Sequence, residues 1–274
     1  MPFDVKQKQR ALYEAGEYSA LAAVLEPAAI ALVDAVGVGV EHAVLDVAAG
    51  DGNGALAAAR QGARVTATDL SSVQVRRGED RCARDGGDVQ WLVADAERLP
   101  FSADAFDRVI SVFGVIFAPR PEVAVAELFR VCEPSGTVGL TAWPDDGYMG
   151  QLTAALREAL VDENLFPDPE LGWGDEEVMR ARLQAHARKV VITRKTLRWD
   201  PAVRAAAGRN DCAATYFASH LPDEMLPQLG NARDRVEQRF KTSDGLIQAD
   251  YLIATATNAE QRKSRNPADA SAAE

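Results

Sequence analysis

The chain has 274 residues, of which 47% are apolar and 26% are charged, as is ordinary for a soluble globular protein. This length allows one large domain, or one domain with a substantial cap. Acidic residues outnumber basic ones by 41 to 30, and the resulting formal charge of -11 disfavours DNA or RNA as a substrate, because a nucleic-acid surface is normally basic.

Two further classes are disfavoured by the residue pattern. No apolar run approaches the roughly eighteen residues of a membrane span, and the first residues do not form a signal peptide, so we expect a cytoplasmic protein with no membrane span. Cys82, Cys132 and Cys212 are isolated, and no CxxC or paired-histidine spacing occurs. Neither a disulfide framework nor a metal site is therefore expected.

The first 40 residues are predicted to be helical. One helix is predicted over 7–15 and a second over 19–36, which Pro27 interrupts or restarts. Tyr13 and Tyr18 are placed where an N-terminal helical lid, residues 1–40, could cover a ligand. Simple packing residues are an equally good interpretation of these tyrosines.

A strand, a glycine-rich turn and a helix follow one another between residues 43 and 60. This is the opening of a nucleotide-binding α/β unit, in which glycines such as Gly50 and Gly52 let the backbone touch the ligand. Gly50-x-Gly52-x-x-Ala55 also satisfies the dinucleotide pattern, so NAD remains an alternative. Asp46, inside the end of the strand, favours a cationic ligand instead, because its carboxylate would repel a diphosphate.

Four more strands are predicted downstream, alternating with helices over 71–84 and 121–131. The strands are predicted over 65–69, 89–93, 106–113 and 137–143. Five strands with helical crossovers indicate a parallel sheet covered on both faces, which binds ligands at the carboxyl ends of its strands.

Three polar residues fall at those strand ends, namely Asp69, Asp95 and Ser111. Asp69, nineteen residues after Gly50, is placed to accept hydrogen bonds from both hydroxyls of a ribose. Because it lies at the end of a strand, we expect its removal to have little effect on folding. The carboxylate of Asp95 is suited to accept a hydrogen bond from an adenine amino group.

These residues resemble the class I S-adenosylmethionine-dependent methyltransferases, in particular the small-molecule branch with the ubiquinone and menaquinone enzymes and actinobacterial natural-product methyltransferases. The resemblance covers roughly residues 18–143. It is carried by Asp69 together with the segments 44–52 (VLDVAAGDG), 95–101 (DAERLPF), 106–107 (FD) and 130–136 (RVCEPSG). The family usually has glycine at positions 48 and 135, where this chain has Ala48 and Ser135. Alanine at position 48 costs little if its φ angle is negative, so cofactor binding is expected to survive.

The resemblance implies a Rossmann-like α/β fold with a seven-stranded, mostly parallel sheet, helices on both faces, an antiparallel last strand and a helical lid. It also implies S-adenosyl-L-methionine as the cofactor. By position, Gly50 and Gly52 meet the methionine portion and the ribose, Asp46 helps to place the amino group, and Phe113 faces the methyl-transfer space. The full set of expected cofactor-binding residues is Tyr18, Asp46, Ala48, Gly50, Gly52, Asn53, Asp69, Leu70, Asp95, Ala96, Glu97, Ser111, Val112 and Phe113.

The resemblance fades beyond residue 143. We expect a helix over 149–161, a helix capped by Asp175, and two closing strands over 189–199 and 251–257 that pair as an antiparallel edge. The methyltransferase domain would then span 41–258. Its cap insertions at about 145–188 and 201–245 would cover an apolar substrate pocket, and a disordered tail would occupy 259–274.

No catalytic base is assigned from the sequence. His42 and His186 lie away from the predicted site, and His220, within the supposed lid, is a weak candidate. The favoured function is methyl transfer to a small, partly apolar acceptor in secondary or quinone-like metabolism. A protein that keeps the fold and the cofactor but performs cyclisation or regulatory binding is the alternative, and an NAD oxidoreductase ranks third. The sequence does not determine the oligomeric state.

Overall fold

The computed structural model describes residues 2–15, 19–159, 171–202 and 223–259, and its elements are numbered along that part of the chain. The strands are β1 (Ala43–Val47), β2 (Arg64–Asp69), β3 (Val89–Val93), β4 (Phe106–Ser111), β5 (Cys132–Ala142), β6 (Ala187–Trp199) and β7 (Ile247–Asn258). The α-helices are α1 (Pro2–Glu14), α2 (Ser19–Ala35), α3 (Asn53–Arg60), α4 (Ser72–Asp85), α5 (Pro121–Val131), α6 (Tyr148–Ala159), α7 (Glu176–Gln184) and α8 (Leu226–Phe240).

The seven strands form one sheet in the order β3-β2-β1-β4-β5-β7-β6. Strands β1 to β5 pair in parallel, whereas β7 runs antiparallel to both β5 and β6. The expected Rossmann-like sheet with an antiparallel last strand is therefore confirmed. The strand order reverses direction between β1 and β4, and open α/β sheets bind ligands at such a point.

The central strands are buried because helices cover both faces of the sheet. All but the first residue of β1 are buried, which explains why its residues, apart from Asp46, are apolar rather than alternating between apolar and polar. Helix α2 packs closely on β5 at Gly139, where an added side-chain carbon would lie 3.1 Å from Leu32 of the helix and 2.2 Å from Val36, the residue after it. This close approach is what places the N-terminal region beside the sheet.

The structure corrects one prediction about the helices and confirms another. Helix α2 continues through Pro27 without a break, so the predicted interruption is wrong. Its buried face includes Leu25, Ala28 and Leu32, and this packing offsets the missing backbone donor. Asp175 does cap a helix, because its carboxylate accepts hydrogen bonds from the Glu177 and Val178 amides. The predicted tail from 260 onward and residues 203–222 of the proposed 201–245 cap lie outside the described residues.

We expect Gly78→Ala to destabilise the protein. Gly78 lies within α4 beneath the Trp91 indole of β3, and an added methyl would come 2.1 Å from the ring. Relieving such a clash costs about 1–3 kcal/mol in the free energy of unfolding, which urea denaturation measures. Gly230→Ala in α8 is the matched control, because its methyl meets nothing within 4 Å. That variant should gain about 0.5–1 kcal/mol from helix propensity, and similar gains at both sites would contradict the packing argument.

Candidate active site

The loop after β1 turns through two glycines in the left-handed region, Gly50 with φ 58° and Gly52 with φ 92°. Ala48 also has a positive φ, 54°, so the condition under which alanine would cost little at this position is not met. The left-handed conformation brings the Cβ of a non-glycine residue close to the following carbonyl, which explains the family's preference for glycine here. Ser135, the other departure from the family pattern, likewise has a positive φ of 68°.

Asp69, at the end of β2, joins the glycine loop to the start of α4. Its carboxylate accepts hydrogen bonds from the Gly50 amide and the Ser71 amide, both at 2.9 Å. Burial raises the pKa of Asp69, although these two hydrogen bonds act in the opposite direction. The side chain therefore holds the loop in addition to any ligand, which argues against the expectation that its removal would leave folding almost unchanged.

Asp46 lies beneath the same loop, and its side chain is inaccessible to solvent. Neither carboxylate oxygen has a hydrogen-bond partner. Burial, reinforced by the negative charge of Asp69, raises the pKa of Asp46 to about 8, and the nearby Ala55 amide offsets only part of this. Gly54 makes room for the carboxylate, because a side-chain carbon at that position would lie 2.6 Å from Oδ2 of Asp46.

The loop after β4 packs directly against the loop after β1. The Ser111 hydroxyl donates to the Val47 carbonyl at 2.7 Å and accepts from the Val115 amide at 2.9 Å. Gly114 meets Ala48 so closely that an added side-chain carbon would lie 2.2 Å from the Ala48 oxygen. The two strand ends on either side of the switch point are thus bound together, and the space above them is the candidate site.

Phe113 lies in the loop after β4 with a positive φ of 53°. Its amide donates to the Thr141 hydroxyl at 2.9 Å, and its ring stacks on Trp143 with 3.9 Å between ring centroids. Tyr251 of β7 meets the Phe113 ring edge-on at 5.9 Å. These contacts fix the Phe113 side chain in an aromatic cluster at the boundary between the parallel strands and the antiparallel edge.

The loop after β3 carries a charged network that reaches α1. Lys6 of α1 contacts Asp95 at 2.7 Å and Glu97 at 2.5 Å, and the Arg120 side chain also binds Glu97, at 2.7 Å. Burial raises the pKa of Asp95, but the hydrogen bonds from Lys6 and the Glu97 amide outweigh this and leave it below its usual range. Asp95 is therefore ionised near neutral pH, with both oxygens already accepting from the chain.

A cavity opens where these loops meet, with about 860 Å³ of space free of protein atoms when its mouth is included. One face of α1 forms a wall of it, because Lys6, Gln9, Arg10 and Tyr13 recur at helical spacing. The end of the cavity formed by the segment after β4 is mainly apolar. Its lining there consists of Val112, Phe113, Gly114, Phe117, Ala118 and Pro119.

The structure divides the sequence-predicted residues into two groups. Those that line the cavity are Ala48, Gly50, Asp69, Leu70, Asp95, Ala96, Val112 and Phe113. Those that are described but do not line it are Asp46, Gly52, Asn53, Glu97 and Ser111. Tyr18 and His220 lie outside the described residues.

Three members of the second group have side chains that are engaged within the protein, and one of them is Ser111, through the Val47 and Val115 hydrogen bonds given above. Asn53 donates to the Ala22 carbonyl at 2.7 Å and accepts from Arg81 at 2.7 Å, so its amide connects α2, α3 and α4. Glu97 is held between Lys6 and Arg120, as described above. In this structure all three side chains support the loops around the cavity.

Sequence reasoning missed several lining residues, among them Lys6, Gln9 and Gln74. The three-to-four residue spacing of polar groups along α1 was a usable signal. What the sequence did not contain was the position of α1 relative to the sheet.

Within the described ranges, no three His, Cys, Asp or Glu side chains are grouped to hold a metal, and no helix is long and apolar enough to cross a membrane.

Comparisons with known proteins agree with this architecture. A family model described as a methyltransferase domain matches residues 44–136. An uncharacterised protein of Mycobacterium tuberculosis is 36% identical over 254 residues, which covers 90% of this chain and 93% of that protein. A demethylmenaquinone methyltransferase of Clavibacter sepedonicus is 38% identical over 157 residues, or 52% of this chain and 63% of that enzyme.

A crystal structure of a putative methyltransferase from Bacillus halodurans superposes with a TM-score of 0.60 at 18% identity, and covers 84% of this chain and 98% of that one. Fold and family match together define the class of Rossmann-like methyltransferases. Residues 44–136 belong to the methyltransferase-domain family, and with this fold they form an S-adenosylmethionine-dependent methyltransferase domain, whose cofactor is S-adenosylmethionine.

We expect Ala48→Gly to stabilise the protein by about 0.5–1 kcal/mol, because glycine adopts a positive φ without steric cost. Chemical denaturation would measure this change. The neighbouring Ala49→Gly is the control, since Ala49 is not among the residues with a positive φ. There glycine adds only freedom to the unfolded chain and should lower stability by about 0.4–1 kcal/mol. A loss of stability in Ala48→Gly would show that the alanine methyl contributes more than the backbone strain removes.

We expect Asp69→Ala to lower the stability of the free protein by about 1–3 kcal/mol, since it removes two charge-assisted hydrogen bonds while relieving a buried charge. The change is measured as a shift in the urea midpoint. Asp88→Ala, an exposed acid ahead of β3, serves as the control and should change stability by less than about 0.5 kcal/mol. Equal stability of wild type and Asp69→Ala would mean that the Gly50 loop keeps its conformation without this carboxylate.

Proposed function

We propose that the protein transfers a methyl group from S-adenosylmethionine to a small, partly apolar acceptor. The observation that carries the proposal is the composition of the cavity. The carboxylates of Asp69 and Asp95 line it on the side of β2 and β3, and an apolar wall that includes Phe113 and Phe117 lines it on the side of β4. A charged, polar cofactor and an apolar acceptor would each meet matching chemistry.

The residues present fit this cofactor. Asp46 is a buried acid without a partner beneath the glycine loop, which suits the amino group of the cofactor, reached directly or through an ordered water. Asp69 and Leu70 are proposed to hold the ribose and adenine, with Asp95 and Ala96 on the adenine side. Arg81 approaches the glycine loop, but Asp51 pairs with it at 3.2 Å, so its charge is neutralised within the protein.

S-adenosylmethionine supplies a methyl group on a sulfonium, which already contains its leaving group. The protein must therefore align the acceptor and exclude water. The rigid loops at 48–52 and 111–114, joined by the Ser111 hydroxyl, are suited to alignment. The aromatic wall and α1 are suited to excluding water.

No described lining residue is a histidine or a cysteine, so we propose alignment rather than a protein base as the main contribution. His42 accepts a hydrogen bond from the Gly39 amide, just before β1 and far from its carboxyl end. His186 stacks on Phe129 at 5.3 Å. An acceptor hydroxyl that ionises readily, as in a quinone-like phenol, would suit such a site. The partial similarity to a demethylmenaquinone methyltransferase supports a quinone-like acceptor.

We further propose that α1 is the main part of the predicted lid. Besides the Lys6 contacts, Glu14 accepts a hydrogen bond from the Ser71 hydroxyl at 2.7 Å, and Leu12 packs with Leu229 of α8. Lys6→Met should loosen α1 and raise the rate of proteolysis within residues 1–15, whereas Arg64→Met on the exposed start of β2 should not. Added S-adenosylhomocysteine should slow this cleavage, and unchanged rates throughout would contradict a closing lid.

The test of the function is transfer of radiolabel from methyl-labelled S-adenosylmethionine to a pooled metabolite extract, followed by identification of the labelled product. Asp69→Ala at equal protein concentration controls for contaminating enzymes and should give less product in subsaturating cofactor. Binding of S-adenosylhomocysteine without any labelled product would favour the alternative of cofactor-dependent chemistry without methyl transfer. Tight binding of NAD alone would exclude the proposal.

Binding of S-adenosylhomocysteine should release a proton from Asp46. With its pKa raised to about 8, Asp46 is largely protonated at pH 7 in the free protein, and a nearby ammonium group would favour the ionised form. Affinity should therefore rise with pH from about 5 to 8. Titration calorimetry in buffers of different ionisation enthalpy measures the proton release.

Asp46→Asn is the matched variant for this experiment, because it keeps the shape of the side chain and removes the ionisation. Its binding should release no proton and vary little with pH. The same raised pKa also determines how the stability of the free protein changes with pH. The free wild-type protein should lose stability as the pH rises from about 4 towards 8, since only its native state retains the Asp46 proton. Proton release that is identical in both proteins would remove Asp46 from the cofactor site.

A further inference from the structure

Gln74 has an unusual environment in the first turn of α4. The residue is only 2% exposed, and it lines the cavity. Its Nε2 donates a hydrogen bond to the Tyr13 carbonyl of α1 at 3.0 Å. A carbonyl oxygen can only accept, so this contact fixes which end of the amide is nitrogen. The other end, Oε1, is buried and has no hydrogen-bond partner.

Buried polar atoms without a partner are rare in native proteins, and each one calls for an explanation. The buried side-chain atoms without partners in the described residues belong to Asp46, Gln74, Trp91, Trp173 and Arg182. Gln74 is the one member of this group that lines the cavity. A hydrogen-bond donor from a molecule bound in the cavity would complete its environment.

The strand order indicates which part of that molecule is involved. Gln74 follows β2, on the side of Asp69, whereas the apolar wall follows β4 on the other side of β1. The oxygens of Asp69 and Asp95 already accept N–H groups of the chain. Gln9 of α1, 7% exposed, lines the same cavity, and its side chain makes no hydrogen bond with the described residues.

We propose that Oε1 of Gln74 accepts a hydrogen bond from the adenosine portion of the cofactor, and that the Gln9 amide completes this contact from α1. The proposal rests on the cofactor placement given under the proposed function. The donors available on adenosine are the 6-amino group of the base and the two ribose hydroxyls. Gln74 is then a specificity-determining residue, and its Nε2 bond to Tyr13 couples recognition of adenosine to the docking of α1.

The experiment compares the binding of four ligands to each protein by calorimetry: S-adenosylhomocysteine, S-inosylhomocysteine, and the 2′-deoxy and 3′-deoxy forms of S-adenosylhomocysteine. The inosine compound lacks the 6-amino group, and each deoxy compound lacks one hydroxyl. Gln74→Met removes the acceptor with little change of shape. Gln74→Glu keeps an acceptor but cannot donate to Tyr13. Gln248→Met on the exposed start of β7 is the matched control.

Wild type and Gln248→Met should bind at least one analogue more weakly than S-adenosylhomocysteine, and this penalty should be about 3- to 10-fold smaller in Gln74→Met, because any share due to Asp69 or Asp95 is the same in all three proteins. Gln74→Glu should keep the penalty of wild type, even if binding of every ligand weakens through loss of the Tyr13 contact. The analogue whose penalty is reduced identifies the donor.

Equal ratios for all four ligands in wild type and Gln74→Met would overturn the proposal, because the residue would then have only a structural role. Should Gln74→Met fail to fold, the wild type and Gln74→Glu decide the matter, and an absence of preference in both overturns it. Failure of wild type to bind S-adenosylhomocysteine at all would instead refute the proposed function, so the two failures are distinguishable.

Discussion

The site depends on the hydrogen bonds that Asp69 makes to the Gly50 and Ser71 amides. Through them, one carboxylate holds both the glycine loop after β1 and the start of α4. The Ser111 hydroxyl does the same for the loops after β1 and β4 through the Val47 carbonyl and the Val115 amide. Because parallel strands end at a common edge, two side chains suffice to fix three strand ends around one space.

Fixing these loops requires backbone strain and buried charge. Ala48 and Phe113 both adopt positive φ angles, and both line the cavity. Asp46 and Asp69 are buried close enough for each charge to oppose the other, and burial raises both pKa values. Such strain and desolvation are concentrated at functional sites, where surrounding packing maintains them. A positively charged ligand nearby would favour the ionised form of both acids, so the same groups would suit a cationic cofactor.

Helix α1 contacts both the loops around the cavity and helix α8. Its polar face meets the loops after β2 and β3 through Lys6, Tyr13 and Glu14. Its apolar residue Leu12 packs with Leu229 of α8. Contacts to the cavity and to α8 therefore pass through one helix, which is a physical reason for a ligand in the cavity to affect both.

The sequence by itself determined the sheet, the glycine loop and the acids at the strand ends. These features follow from local rules: apolar runs bury strands, glycines permit positive φ, and parallel strands place their ends together. For the same reason Asp69 and Asp95 could be placed at the cavity in advance, whereas Phe113 was placed there by the family resemblance. Only the tertiary structure decided that Asn53 and Glu97 bind other parts of the protein, that Ala48 is strained, and that Lys6, Gln9 and Gln74 face the cavity. Those outcomes depend on where α1, α2 and α4 dock against the loops, and docking is set by contacts between residues far apart in the chain, which no local pattern encodes.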